Sequence, residues 1–169
     1  MRRTIIAISA VATVALAATL RRVRAQPSIR PDLSGEWEFV SAVGTTPPDE
    51  FVMKTDQSAT TFRVHSRWKE PANGEYGLML VGLLTPELTF SIGGGEDLNQ
   101  SGPFVIHSKT QWRDARLITK WNTSELLGVS FEGEWVRSVS ADGRESTLEI
   151  HAKSSQGRRA DAVLLFRKK

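Results

Sequence analysis

The chain reads as all-β: an antiparallel up-and-down meander closing into a barrel of about 8–10 strands. Three observations predict it. β-Branched and aromatic residues alternate with charged ones in run after run. Short Gly, Asp, Asn or Pro punctuation separates the runs. Past the first 34 residues, no segment sustains apolar residues at helical spacing.

In chain order, residues 1–25 carry Arg2, Arg3, Arg21, Arg22 and Arg24 and no acid, around an uncharged Ala/Ile/Val-rich run over 4–20. With "VRA" before Gln26, this predicts an export signal cleaved after Ala25 and a periplasmic or extracellular protein. The run is short and alanine-rich for a bilayer span, and its arginines sit at the two ends rather than interleaved as in a mitochondrial transit peptide. "RRTII" partly fits twin-arginine export. Membrane contact is expected only through this signal. A Pro-containing lead, 26–34, precedes the barrel domain, 35–169.

The leader also explains the charge. Of the 22 basic residues it holds five, leaving 17 against 19 acids, so the whole-chain pI near 9.5 gives no ground for a nucleic-acid partner. With no cysteine there is no disulfide and no thiol chemistry, so the core alone must hold the domain.

Strands are expected near 35–41, 50–55, 60–69, 76–84, 87–92, 103–112, 115–121, 128–139, 145–153 and 161–168. Period two assigns their faces. Trp37 and Phe39 oppose Glu36 and Glu38. Phe62, Val64, Ser66 and Trp68 oppose Arg63, His65 and Arg67. Phe104, Ile106, Ser108, Thr110 and Trp112 oppose Val105, His107, Lys109 and Gln111. Leu117, Thr119, Phe131, Trp135, Leu148 and Ile150 also face inward. "TPE" at 85–87, "RDAR" at 113–116 and the Asp-Gly turn in "ADGR" at 141–144 are hairpin connections. Residues 93–103 and 45–50 read as loops around the mouth.

Several motifs together resemble a known family. "LSGEWEF", with Gly35-x-Trp37, is followed by Trp112 with Asp114, then Trp135 with Asp142-Gly143-Arg144, then an apolar strand closed by basic residues. This order is similar to small exported bacterial lipocalin-like proteins. The resemblance implies that Gly35 and Trp37 plug the closed end and that Arg167 stacks on Trp37.

Reactive chemistry finds little support. "GGGEDLNQSG" lacks the lysine and hydroxyl of a phosphate loop. Its Asp97, Asn99 and Ser101 mimic half of a calcium loop, but Ser108 stands where the bidentate Glu belongs. His65, His107 and His151 fall on outer faces, so no metal site is expected. "GVSFEG" does not match a nucleophile elbow. The Glu36/Glu38 and Glu132/Glu134 pairs face outward, as partners for Arg and Lys. The chain is expected not to be an enzyme and to need no cofactor.

What remains is binding. Phe39, Phe62, Val64, Trp68, Phe104, Ile106, Ser108, Thr110, Phe131 and Ile150 are the cavity candidates, rings and aliphatics with a few orienting hydroxyls. They point to a small apolar or amphipathic ligand held in the interior. The alternative is a packed barrel with no cavity that binds a partner or the envelope through its surface, motivated by the two-sided apolar runs "YGLMLVGLL" and "AVLLF".

Overall fold

The computed structural model describes residues 30–46, 49–69 and 85–169, and its regular elements there are all strands. They are β1 (Gly35–Val43), β2 (Asp49–Gln57), β3 (Thr61–Lys69), β4 (Glu87–Ser91), β5 (Glu96–Ser101), β6 (Phe104–Arg113), β7 (Arg116–Thr123), β8 (Phe131–Val139), β9 (Glu145–Ser154) and β10 (Arg159–Lys168). All join one antiparallel sheet in the order β4-β3-β2-β1-β10-β9-β8-β7-β6-β5. The meander is therefore as expected, and the first and last strands pair with each other. The leader, the strand expected over 76–84 and the "YGLMLVGLL" run lie outside the described residues.

Alternation sets the faces. On β3, Phe62, Val64 and Ser66 are buried while Arg63 and Arg67 are exposed. On β10, Ala162, Leu164 and Phe166 are buried and Asp161, Val163 and Arg167 are exposed. Trp37, Phe51, Phe62, Phe90, Ile106, Trp121, Trp135, Leu148 and Phe166 with their aliphatic neighbours form one buried cluster along the inner face of the sheet. Apolar burial of this kind stabilises by about 25 cal/mol per Å².

One expected loop is partly a strand. Residues 93–103 contain β5, which completes the barrel wall beside β4. No backbone ladder joins β4 to β5; side chains of β5 take its place. Asn99 Oδ1 accepts the Thr89 N–H at 2.8 Å, and Asn99 Nδ2 donates to Thr89 O at 2.9 Å. Asp97 accepts the Ser91 N–H at 2.6 Å and the Ser91 hydroxyl at 2.7 Å, while Thr85 Oγ1 meets Ser101 Oγ at 2.6 Å. The alternate acids and amides that mimic a calcium loop are thus the teeth of a seam. Sequence alternation missed β5 because its inward positions are these polar groups, not apolar ones.

The closed end departs from expectation in one residue. Trp37 is buried, and its indole N–H lies 2.9 Å from Thr55 Oγ1 and 3.2 Å from Leu33 O. The cation above its ring is Lys168, with Nζ 5.3 Å from the centroid, and not Arg167. Phe166 faces inward, so Arg167 must face outward, where it stands opposite Glu38 and Glu145. Lys168 regains the inward parity just beyond the core and folds across Gly35. A Cβ at Gly35, where φ is 150°, would lie 2.6 Å from Lys168 Cε. Glycine there makes room for the lysine stem.

Candidate functional site

The site grows from β8, "FEGEWVRSV". Phe131, Gly133, Trp135 and Arg137 share the inward parity, and Glu132 and Glu134 share the outward one. Arg137 is thereby delivered into the bore, where it is only 2% exposed. Among the described residues it is the one ionisable side chain that is fully buried.

Rings surround the guanidinium. Its central carbon lies 5.3 Å from the Phe62 ring centroid, 5.7 Å from Phe90 and 5.7 Å from Trp135. Phe62 and Phe90 are cross-strand partners on β3 and β4, stacked at 6.3 Å, so Arg137 meets the opposite wall near the seam. Beyond it Trp135 stacks on Trp121 at 5.0 Å, and Trp121 stands beside Ser108 across the β6/β7 ladder.

None of the three guanidinium nitrogens has a hydrogen-bond partner among the described residues. The same holds for Trp135 Nε1, Trp121 Nε1 and Ser108 Oγ. Burial lowers the Arg137 pKa from its ordinary value to about 10, which leaves the group cationic at neutral pH. Cation–π contact returns about 0.5–2 kcal/mol per ring, whereas burying the ion is opposed by several kcal/mol. The rings alone do not balance that charge, and buried polar groups in folded proteins are normally hydrogen-bonded.

Of the sequence-predicted cavity residues, Phe62, Val64, Ile106, Ser108, Thr110, Phe131 and Ile150 are buried in this interior. Phe62 touches the Arg137 guanidinium, and Ser108 stands beside Trp121 across the β6/β7 ladder. Thr110 does not offer a free hydroxyl, since it is bonded to Thr119 at 2.9 Å. Phe39, Trp68 and Phe104 are half-buried at the margins: Phe39 packs edge-on to Phe166, and Phe104 edge-on to Phe131. Phe39, Phe51 and Trp68 line an opening of about 440 Å³. It lies where β1 and β2 part, because their pairing ends at Glu38 and Val52 and both strands are irregular beyond that point.

Arg137, Trp121 and Phe90 are the members that sequence reading missed. A signal existed for two of them: Arg137 is two residues from Trp135, and Trp121 two from Thr119, each already assigned inward. The expectation that ionisable groups stay on the wet face holds for His107 and His151, which pair with Glu96 at 3.2 Å and Asp161 at 2.7 Å. It holds for Glu132, paired with Lys153 at 2.5 Å, and for Glu36, near Arg67 and Lys169. His107, His151, Glu96, Asp161, Glu132 and Lys153 line a second depression of about 790 Å³, together with Gly133 and Trp121. Arg137 alone breaks the rule among the described residues.

Comparison with known proteins places the fold and leaves the chemistry open. No protein-family model matches the chain, and no curated protein matches it. Among solved structures, the chain is similar to a "secretary abundant heat soluble (SAHS) protein" of Ramazzottius varieornatus, solved from a dimer sample. The TM-score is 0.50 at 13% identity, over 81% of this chain and 95% of that one. The likeness is one of fold: a near-closed, lipocalin-like antiparallel barrel.

Proposed function

We propose that the protein is an exported barrel that holds one small amphipathic molecule in its interior and does not transform it. The observation that carries this reading is Arg137: a buried cation with unpartnered N–H groups, set in an otherwise aromatic and aliphatic bore. Ligand sites in general combine apolar walls with a few convergent polar groups, and this cluster has that composition. The opening between β1 and β2, lined by Phe39, Phe51 and Trp68 together with Glu38, Glu50, Arg67 and Lys169, is the way in. Export rests on the composition of residues 1–25. A binding role rather than catalysis rests on the absence of a buried carboxylate or imidazole among the described residues.

Native mass spectrometry of protein purified from its own host tests this directly. The expected result is a discrete excess mass of one small molecule that leaves on organic extraction. Trp121 and Trp135 supply a second readout, since an occupant near their stacked rings changes tryptophan emission. Protein that comes out empty and shows no emission change with any amphiphile tried contradicts the reading.

A surface-acting barrel is the second reading, favoured by Val43 and Val163. These are cross-strand partners that are 75% and 42% exposed. A concentration-dependent dimer in light scattering, abolished by Val43→Lys, would favour it; a strict monomer would not.

A further inference from the structure

We infer that the ligand carries a carboxylate, a planar group with a single negative charge, and that Arg137 receives it inside the barrel. This rests on the interior-binding reading above and adds the chemistry of the head group.

Charge matching is the first argument. Arg137 is the one buried ionisable group among the described residues; the remaining buried polar side chains are serines and threonines. One fixed cation balances one anionic charge. A phosphate monoester brings up to two and leaves the second uncompensated in a dry bore.

Geometry is the second. The guanidinium carbon sits over the Phe62, Phe90 and Trp135 rings, none of which accepts a conventional hydrogen bond, so its N–H groups still call for an acceptor. Two parallel N–H···O bonds to a carboxylate are the natural complement of a guanidinium so placed. The other unpartnered donors of the interior fit the same assignment. Trp135 Nε1 and Trp121 Nε1 only donate, and the Ser108 hydroxyl donates readily. Of the six unpartnered polar atoms, three belong to Arg137 itself and the others stand along the same interior, nearly all of them donors. An alcohol or amine head would satisfy far fewer. The rings and aliphatics beyond then hold the apolar remainder of the molecule.

The experiment compares decanoate, 1-decanol, decyl phosphate and decyltrimethylammonium on the mature protein, stripped of bound lipid by extraction, by tryptophan emission and calorimetry. Decanoate is expected to bind at least roughly tenfold more tightly than decanol, in line with a charge-assisted bond, and decyl phosphate more weakly than decanoate. Arg137→Met should erase the preference for acid over alcohol while leaving decanol affinity within about twofold; Arg137→Lys should restore part of it. A readout on the unaltered protein covers the case in which the variants fail to fold. Arginine side-chain NMR should show the slowest-exchanging Nε–H signal move on adding decanoate and stay in place on adding decanol.

Equal binding of acid and alcohol, tighter binding of the phosphate, or an arginine signal unmoved by bound decanoate overturns the head-group assignment while interior binding stands. No binding by any of the four overturns the interior-binding reading itself.

Discussion

Asn99 holds both backbone groups of Thr89, accepting its N–H at 2.8 Å and donating to its carbonyl at 2.9 Å. One carboxamide does here what a strand residue does elsewhere in the sheet. Asn99→Asp keeps the acceptor and loses the donor, and Asn99→Leu loses both. We expect a loss of about 1 kcal/mol for the first and up to about 3 for the second, read from urea unfolding. Amide exchange at Thr89 should accelerate more than exchange at Phe62, whose strand keeps its ladder with β2.

Arg137, buried without a hydrogen-bond partner among the described residues, costs the fold stability. Replacing an unpartnered buried ion by an apolar side chain of similar length removes its desolvation, so Arg137→Met should raise ligand-free stability by about 1–4 kcal/mol. The pH dependence has a definite sign. The folded pKa, about 10, lies below the ordinary arginine value, so between the two the unfolded chain binds more protons. The penalty is complete below pH 10 and is relieved as pH rises through the folded pKa. The gap between wild type and Arg137→Met in denaturant unfolding should therefore narrow from pH 9 to pH 11. A strongly destabilised variant would show that the arginine already has a counter-charge.

Lys168 and Arg167 separate a stacked cation from a solvated one. Lys168→Ala should cost about 0.5–1 kcal/mol through loss of its contact with Trp37, and Arg167→Ala close to nothing. Thermal or urea unfolding of the two single variants checks the order.

Gly133 has no room for a side chain. A Cβ there would lie 2.2 Å from the His151 carbonyl oxygen and 2.9 Å from Trp121. Backbone cannot step aside as a flexible side chain can, so Gly133→Ala should destabilise by about 1–3 kcal/mol or more. Near-ultraviolet dichroism from the Trp121/Trp135 stack should weaken with it.

The hairpin at Asp142 gives an acid-side prediction. Its carboxylate accepts the Ser140 hydroxyl at 2.6 Å and the Arg144 N–H at 3.1 Å, which hold its pKa below the usual 3.8. The stabilisation is present above pH 3.8 and is lost as pH falls through the lower folded value. Asp142→Ala should be less stable than wild type by a constant margin at pH 5–7, with the margin closing toward pH 2.

The barrel was legible in the sequence because period-two patterning is a direct image of burial on a sheet with one wet face. Phe62/Val64/Ser66 and Leu148/Ile150 show it plainly, and the Asp142-Gly143 turn fixes one register outright. β5 was not legible, since Asp97, Asn99 and Ser101 make hydrogen bonds in place of apolar contacts. Arg137 was hidden by a prior and not by the pattern: its parity with Trp135 put it inside, while the usual place of arginine put it outside. Lys168 over Trp37 needed coordinates, because the end of a strand has no further residue to settle which way its last side chain bends.

The seam falls mid-chain, while the two ends of the domain lie together: the Lys169 N–H reaches Glu36 O at 2.9 Å, beside the β1/β10 ladder. Opening the chain at the glycines 93–95 and joining the old ends by a short linker would keep every backbone ladder described above. Such a circular permutant has the same ten-strand order, but its new termini flank the junction that lacks a ladder, where Asp97 and Asn99 side chains and the Gly93 and Gly94 N–H bonds to Thr110 O make the closure. Chain continuity and barrel closure are thereby separable in this molecule, and the permutant offers a hinge at which the wall can be opened or tethered at will.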